Sequence, residues 1–185
     1  YALPGIIAMT ASSLYNMVDS IFIGHGVGAM ALSGLTVAKP FMDICAAFGS
    51  LVGVGASSLV AIKLGEKDYR SANDVLANVV LLNVILGALV MSVGLYWLDP
   101  ILYAFGASDV TFPYANNYIT IYLLGSIFVM IGLGMNQYIN AQGFARIGMC
   151  TVLLGAATNI VLDFLFILVF NMGVQGAALA TVIAQ

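Results

Sequence analysis

Residues 75–98 read VLANVVLLNVILGALVMSVGLYWL, a stretch without a single Asp, Glu, Lys or Arg. About 20 predominantly apolar residues suffice to cross the hydrocarbon core of a bilayer as a helix. The stretch is long enough, and it is continuous, whereas a membrane barrel strand alternates polar and apolar residues. It reads as a transmembrane helix. Working outward, residues 44–62 and 110–145 are equally free of charge. Across all 185 residues the chain is 62% apolar and 7% charged, with a mean hydropathy of +1.08. A soluble domain carries about 25% charged residues. This chain could not clothe a surface facing water, so the fold class is all-α integral membrane. The net charge of −3 comes from scattered residues and implies no nucleic-acid partner.

Six transmembrane helices are predicted, over about 1–24, 32–62, 74–98, 114–143, 147–170 and 174 onward. Breakers separate them: GHGVG at 24–28, LGEKDYRSAND at 64–74, DPILYAFGASDVTFP at 99–113, GFARIG at 143–148 and NMGVQG at 171–176. The opening YALPGIIAMT has no Met and no basic leader, and TVIAQ closes within a hydrophobic run. The chain is therefore expected to be a piece of a longer transporter or channel. Cys45 and Cys150 lie in apolar surroundings without CxxC spacing and read as inert buried thiols.

Orientation follows from the basic residues. Lys63, Lys67 and Arg70 flank the second connection and Arg146 marks the fourth, while the other three carry no Lys or Arg. The positive-inside rule puts the second and fourth connections, and the N-terminus, in the cytoplasm.

Two aspartates stand alone in apolar helices: Asp19 in SLYNMVDSIFIG and Asp163 in TNIVLDFLFILVF. A carboxylate at membrane depth costs about 2.5–3.5 kcal/mol on insertion scales, which makes each a candidate for an ion, proton or substrate path. With 1.5 Å rise per residue, both fall roughly 8–10 Å below the outer boundary, and Thr181 on the re-entering sixth helix falls at about the same level. Asn159 precedes Asp163 by four residues and shares its face. Two carboxylates, an amide oxygen and a hydroxyl suit a hard cation. Burial and a like-charged neighbour would equally favour holding a proton, and the residues do not choose. The bland alternative is interhelical packing through hydrogen bonds, strongest for Asn159 and Thr181.

Other polar residues read as follows. Lys39 and Asp43, also four apart, either neutralise each other or face a water-filled cavity. His25 reads as a solvated loop residue. Pro4 deprives the first helix of a backbone bond and is expected to bend it. Gly49 and Gly53, with Gly125, Gly132 and Gly134 on the fourth helix, permit close helix packing. Asn136 and Asn140 share a face near Gln137 and Gln142, lining a cavity open to the cytoplasm or marking the membrane exit.

The stretches ALPGIIAMTASSLYNMVDSIFIG, GVGASSLVAIKLGEKDYRSA, NIVLDFLFI and GVQGAALATVIAQ give the chain a resemblance to the multidrug and toxic compound extrusion (MATE) family across essentially its whole length. The most specific parts are the VDxxFxG end of the first helix and the NxxxD of the fifth. The resemblance implies one six-helix lobe, the N-terminal one and truncated at both ends, of a twelve-helix, two-lobe transporter with a central cavity open to one side at a time. It implies a cation or proton site within this lobe, with Asp19, Asn159, Asp163 and Thr181 as ligands. Tyr118 and Asn136 would join its hydrogen-bond network, and Pro4 would be the bending proline. Some relatives carry a further polar residue one turn before Asn136, where this chain has Leu133.

On that resemblance the protein is expected to be a secondary active antiporter in a bacterial inner (plasma) membrane. It would be no enzyme and need no cofactor. It would export organic, cationic and amphiphilic compounds in exchange for Na⁺ or H⁺, with Na⁺ possible at the four ligands. Its partners would be drugs or small organic cations, the coupling ion, the lipid bilayer and the C-terminal lobe of the same chain. A lipid-linked oligosaccharide flippase of the same superfold is the alternative, and it would require a cationic cavity. No Ser/His, Cys/His or His-rich set at a shared depth supports an intramembrane enzyme, and no repeated selectivity motif supports a channel.

Overall fold

A computed structural model describes residues 2–185, and helices account for nearly all of them. In chain order they are α1 (Ala2–Gly26), α2 (Ala29–Gly65), α3 (Tyr69–Tyr96), α4 (Leu98–Ala104), α5 (Phe112–Ala141), α6 (Ala145–Asp163) and α7 (Gly173–Ala184). The winding of α6 widens at its end into a π-helical turn, Phe164–Val169. Five segments are long and apolar enough to cross a membrane, counting α6 with its π turn, and α7 is a shorter apolar helix. Five of the six predicted spans are thus present at spanning length, the sixth appears as the shorter α7, and the chain is an all-α, multi-pass membrane protein.

The boundaries differ where local chemistry outvotes hydropathy. α3 begins at Tyr69, before the expected 74, because Asp68 caps it: its carboxylate accepts the Ser71 backbone N–H at 3.1 Å. Hydrogen bonding from Ser71 holds the exposed Asp68 carboxyl below its ordinary range. The segment expected to be an uninterrupted breaker, 99–113, contains α4. Asp99 in the first turn of α4 suits the positive end of the helix dipole, and Pro100 is tolerated there. α2 runs 37 residues, roughly 55 Å at 1.5 Å per residue, so its ends reach beyond the hydrocarbon. Pro40 lies inside it and removes the bond to the Thr36 carbonyl, a feature the hydropathy reading passed over.

α5 is the hub. Half of its spanning window is buried, against 11% for α1. α2, α3 and α7 all pack on it, and small residues let them approach. A Cβ added to Gly53 of α2 would sit 2.9 Å from the Gly134 Cα of α5. A Cβ on Gly125 of α5 would collide with Val182 of α7. The core consists of Tyr118, Ile119, Tyr122 and Leu123 of α5 with Ile23, Ala38, Phe41 and Ala177 of the surrounding helices. α1, by contrast, lies chiefly against α6 and exposes Leu3, Met9 and Met17.

Pro4 lies within α1. Two expectations need correction. His25 belongs to the last turn of α1, with Nδ1 3.0 Å from the Ile21 carbonyl oxygen, rather than to a loop. Cys45 is buried as expected, whereas Cys150 is exposed on α6.

Candidate functional site

Four helices contribute the polar residues in question. α1 carries Asp19, α5 carries Tyr118, α6 ends on Asn159 and Asp163, and α7 carries Thr181. All are buried: Asp163 is 0% exposed, Asn159 and Tyr118 1%, Thr181 6% and Asp19 7%. The helical spacing of four puts Asn159 and Asp163 on one face. Just beyond Asp163 the π turn begins, a departure from α winding that is frequent at functional sites.

Tyr118 and Thr181 meet directly, hydroxyl to hydroxyl at 3.2 Å, and the Thr181 hydroxyl donates to the Ala177 carbonyl at 3.0 Å. Asp19, Tyr118 and Thr181 line a cavity of about 240 Å³. Thr181 also lines a second cavity of about 330 Å³, together with Asn159 and Asn136. Asp163 lines neither, yet its carboxylate lies within electrostatic reach of Asp19, and both act on Tyr118. Among the described residues, both Asp163 oxygens, both Asn159 amide atoms and Oδ1 of Asp19 are buried without a hydrogen-bond partner. Buried polar groups in folded proteins are nearly always partnered. Such a set of oxygens fits a dehydrated cation, or one proton shared by two carboxyls.

Asn136 stands apart from this group. Its Nδ2 donates to the Gly148 carbonyl at 3.1 Å and to Thr151 Oγ1 at 2.9 Å, and its Oδ1 accepts from Asn140 at 3.0 Å. It touches the 330 Å³ cavity but hydrogen-bonds within an α5–α6 cluster rather than with the aspartates. Lys39 and Asp43 are exposed and make no ion pair with each other; both line the 240 Å³ cavity beside Asp19, which is the second of the two readings given to them. Among the described residues the one ion pair is Lys63–Glu66, 2.8 Å apart at the surface.

Of the buried polar residues that the sequence reading passed over, Asn83, Thr111 and Ser126, one lacks a partner. Asn83, in the middle of α3, is 0% exposed with neither amide atom partnered, and it faces Gly134 of α5. The signal was present: an asparagine near the middle of the 75–98 run is an intramembrane polar group by position alone.

The MatE family model matches residues 4–165. The chain belongs to the MatE family. Among curated relatives, the multidrug export protein MepA of Staphylococcus aureus is 31% identical over all of this chain and 41% of its own length, and MepA of Staphylococcus haemolyticus is 30% identical over the same shares. Among solved structures, the MATE multidrug transporter DinF-BH is 40% identical, with a TM-score of 0.92 over 98% of this chain and 41% of that one. A MATE in complex with MaD3S is 30% identical, with a TM-score of 0.90 over the same shares. This MatE chain thus spans about two-fifths of the relatives it matches. The family is one of transporters, not enzymes.

Proposed function

We propose that this chain is the ion-coupling, N-terminal lobe of a secondary antiporter in the bacterial inner membrane, with its N-terminus in the cytoplasm. The whole protein exports cationic, amphiphilic organic compounds in exchange for Na⁺ or H⁺. The observation that carries the reading is the set of buried, unpartnered oxygens on Asp19, Asn159 and Asp163, with Thr181 beside them. Asp19 and Asp163 hold the coupling ion, Asn159 and Thr181 complete its shell, and Tyr118 positions Thr181 through their hydroxyl contact. The likeness to multidrug export proteins supports the direction and cargo. A second six-helix lobe on the same chain would complete the substrate cavity, and the two lobes would alternate by rocking, as repeat-built transporters do.

The flippase alternative requires a cationic cavity, and the cavity beside Asp19 sets a single lysine, Lys39, against the carboxylates of Asp19 and Asp43. The test uses the full-length transporter in sealed vesicles. Dye efflux should follow an imposed Na⁺ or pH gradient, and Asp163→Asn should abolish that dependence while leaving the protein folded and inserted. Gradient-driven efflux at the normal rate by the Asp163→Asn protein would overturn the site assignment.

A further inference from the structure

Leu81, Leu82, Ile85, Leu89 and Val93 of α3 are all exposed. At about 100° per residue they fall within a strip about 120° wide, and Tyr96 falls within the same strip. Tyr69 and Tyr96, both exposed, stand at the two ends of α3. The 27 residues between their positions, 69 and 96, correspond to roughly 40 Å, close to the thickness of a bilayer with its headgroup regions. An apolar strip of that length with tyrosines at both ends fits lipid, since Tyr and Trp concentrate at the two membrane interfaces. Lys63, Lys67 and Arg70 lie by the Tyr69 end, so Tyr96 and Trp97 emerge in the opposite headgroup layer.

There the chain turns into α4. Six of the nineteen residues from Tyr96 to Tyr114 are aromatic, against 11% of the whole chain. Leu98 and Leu102, four residues apart, anchor α4 in the core, while its other face, with Asp99 and Tyr103, is bare. A helix so divided lies along a membrane surface rather than across it. The Tyr96 and Trp97 rings stand 6.2 Å apart and tilted by 51°. Tyr103 stacks on Phe112 at 5.0 Å and donates its hydroxyl to Asp109 at 3.2 Å. The carboxylates of Asp99 and Asp109 both act on that hydroxyl, so the two acids lie close to one another.

We propose that the Tyr96–Trp97 corner and the bare face of α4 bind the headgroups of ammonium-bearing phospholipids, of the phosphatidylethanolamine class, and so fix the depth of α3 in the bilayer. The choice of headgroup follows from charge. Aromatic faces attract a cation within about 6 Å of the ring centroid, and two faces meet at this corner. The charged side chains of the connection are Asp99 and Asp109, and no Lys or Arg occurs between Arg70 and Arg146. An ammonium group is complementary to this surface, whereas a net anionic headgroup meets two carboxylates and no cation.

The experiment uses the full-length transporter labelled with fluorotryptophan, in nanodiscs of equimolar phosphatidylethanolamine and phosphatidylglycerol. Trp97 is the single tryptophan of these 185 residues, and its fluorine resonance is the one that Trp97→Phe removes. One lipid at a time carries a nitroxide, either on the first carbons of an acyl chain or near the chain end, and broadening of the resonance is read. The label near the headgroup should broaden Trp97 about threefold more than the label near the chain end. Stronger broadening from the chain end overturns the interfacial placement. Broadening by neither label does so too, because Trp97 then faces water or another part of the protein. At the shallow position, labelled phosphatidylethanolamine should act about threefold more strongly than labelled phosphatidylglycerol, a preference of the size an exposed cation–π contact gives. Equal or reversed effects overturn the choice of headgroup. Asp99→Asn combined with Asp109→Asn should reduce that preference and leave the depth unchanged; an undiminished preference overturns the part given to the carboxylates. No ion coupling is measured, so these outcomes are independent of the Asp163→Asn test.

Discussion

Two polar layers cross this bundle, and they differ in how completely they satisfy themselves. In the inner layer, Asn136, Asn140, Thr151 and the Gly148 carbonyl bond to one another at 2.7–3.1 Å. In the outer layer, Asp163 and Asn159 find no partner for any side-chain polar atom among the described residues, and Asp19 leaves one oxygen bare. Both layers lie in an apolar setting where an unmade hydrogen bond costs about 1–3 kcal/mol per group. The inner layer can persist as it stands. On the proposed function, a cation or proton held in the outer layer would supply the partners that Asp19, Asn159 and Asp163 lack.

The sharpest way to break this contrast is at the carboxylates. Asp19→Asn and Asp163→Asn should each reduce gradient-driven efflux to background, and the double variant should lose nothing further, because the two groups act as one site. Partial, additive losses would mean two independent sites. Next in size, Thr181→Val keeps the shape and removes one ligand hydroxyl. Ion affinity should fall about tenfold, the equivalent of about 1.4 kcal/mol. An unchanged concentration dependence for Na⁺ or H⁺ would remove Thr181 from the shell.

Asn83 sharpens the comparison from a third position, since neither of its amide atoms has a partner among the described residues and it packs against Gly134 of α5. Asn83→Leu should raise thermal stability by about 1–3 kcal/mol and leave coupling intact, because an idle buried amide is merely a cost. Loss of coupling would promote Asn83 to a functional group. The smallest effect belongs to a bond that is already made. Tyr138 donates its hydroxyl to the Ala72 carbonyl at 3.2 Å near the inner end of α5. Tyr138→Phe should lower stability by about 1 kcal/mol without altering the ion dependence of efflux.

Much of this was legible in the chain itself, for identifiable reasons. Six spans follow from hydropathy because a helix is the simplest way to satisfy the backbone in lipid. Asp19 and Asp163 stood out because charge at that depth is rare. Capping and turn chemistry were less visible: Asp68 starts α3 early, and α4 occupies a segment whose Gly and Pro residues read as breakers. Asn136 shows the deeper limit. Spacing and resemblance attach it to the aspartates, but its bonding partner, Thr151, is set by how α6 turns against α5, which no one-dimensional pattern records. Asn83 escaped because an isolated amide flanked by leucine and valine perturbs no periodicity.

The π turn at Phe164–Val169 has a consequence for how this bundle tolerates changes in length. Winding with i→i+5 bonds accommodates one residue more than the α-helix it replaces. Removing one residue between 164 and 169 would let the turn rewind to α geometry, with Asp163 still anchored below and Gly173 still starting α7 above. The same deletion in the middle of α5 has no slack to absorb it and would rotate every side chain beyond it by about 100°, a consequence of 3.6 residues per turn. The end of α6 is therefore the place in this bundle where a shortened gene should still yield a folded, inserted protein.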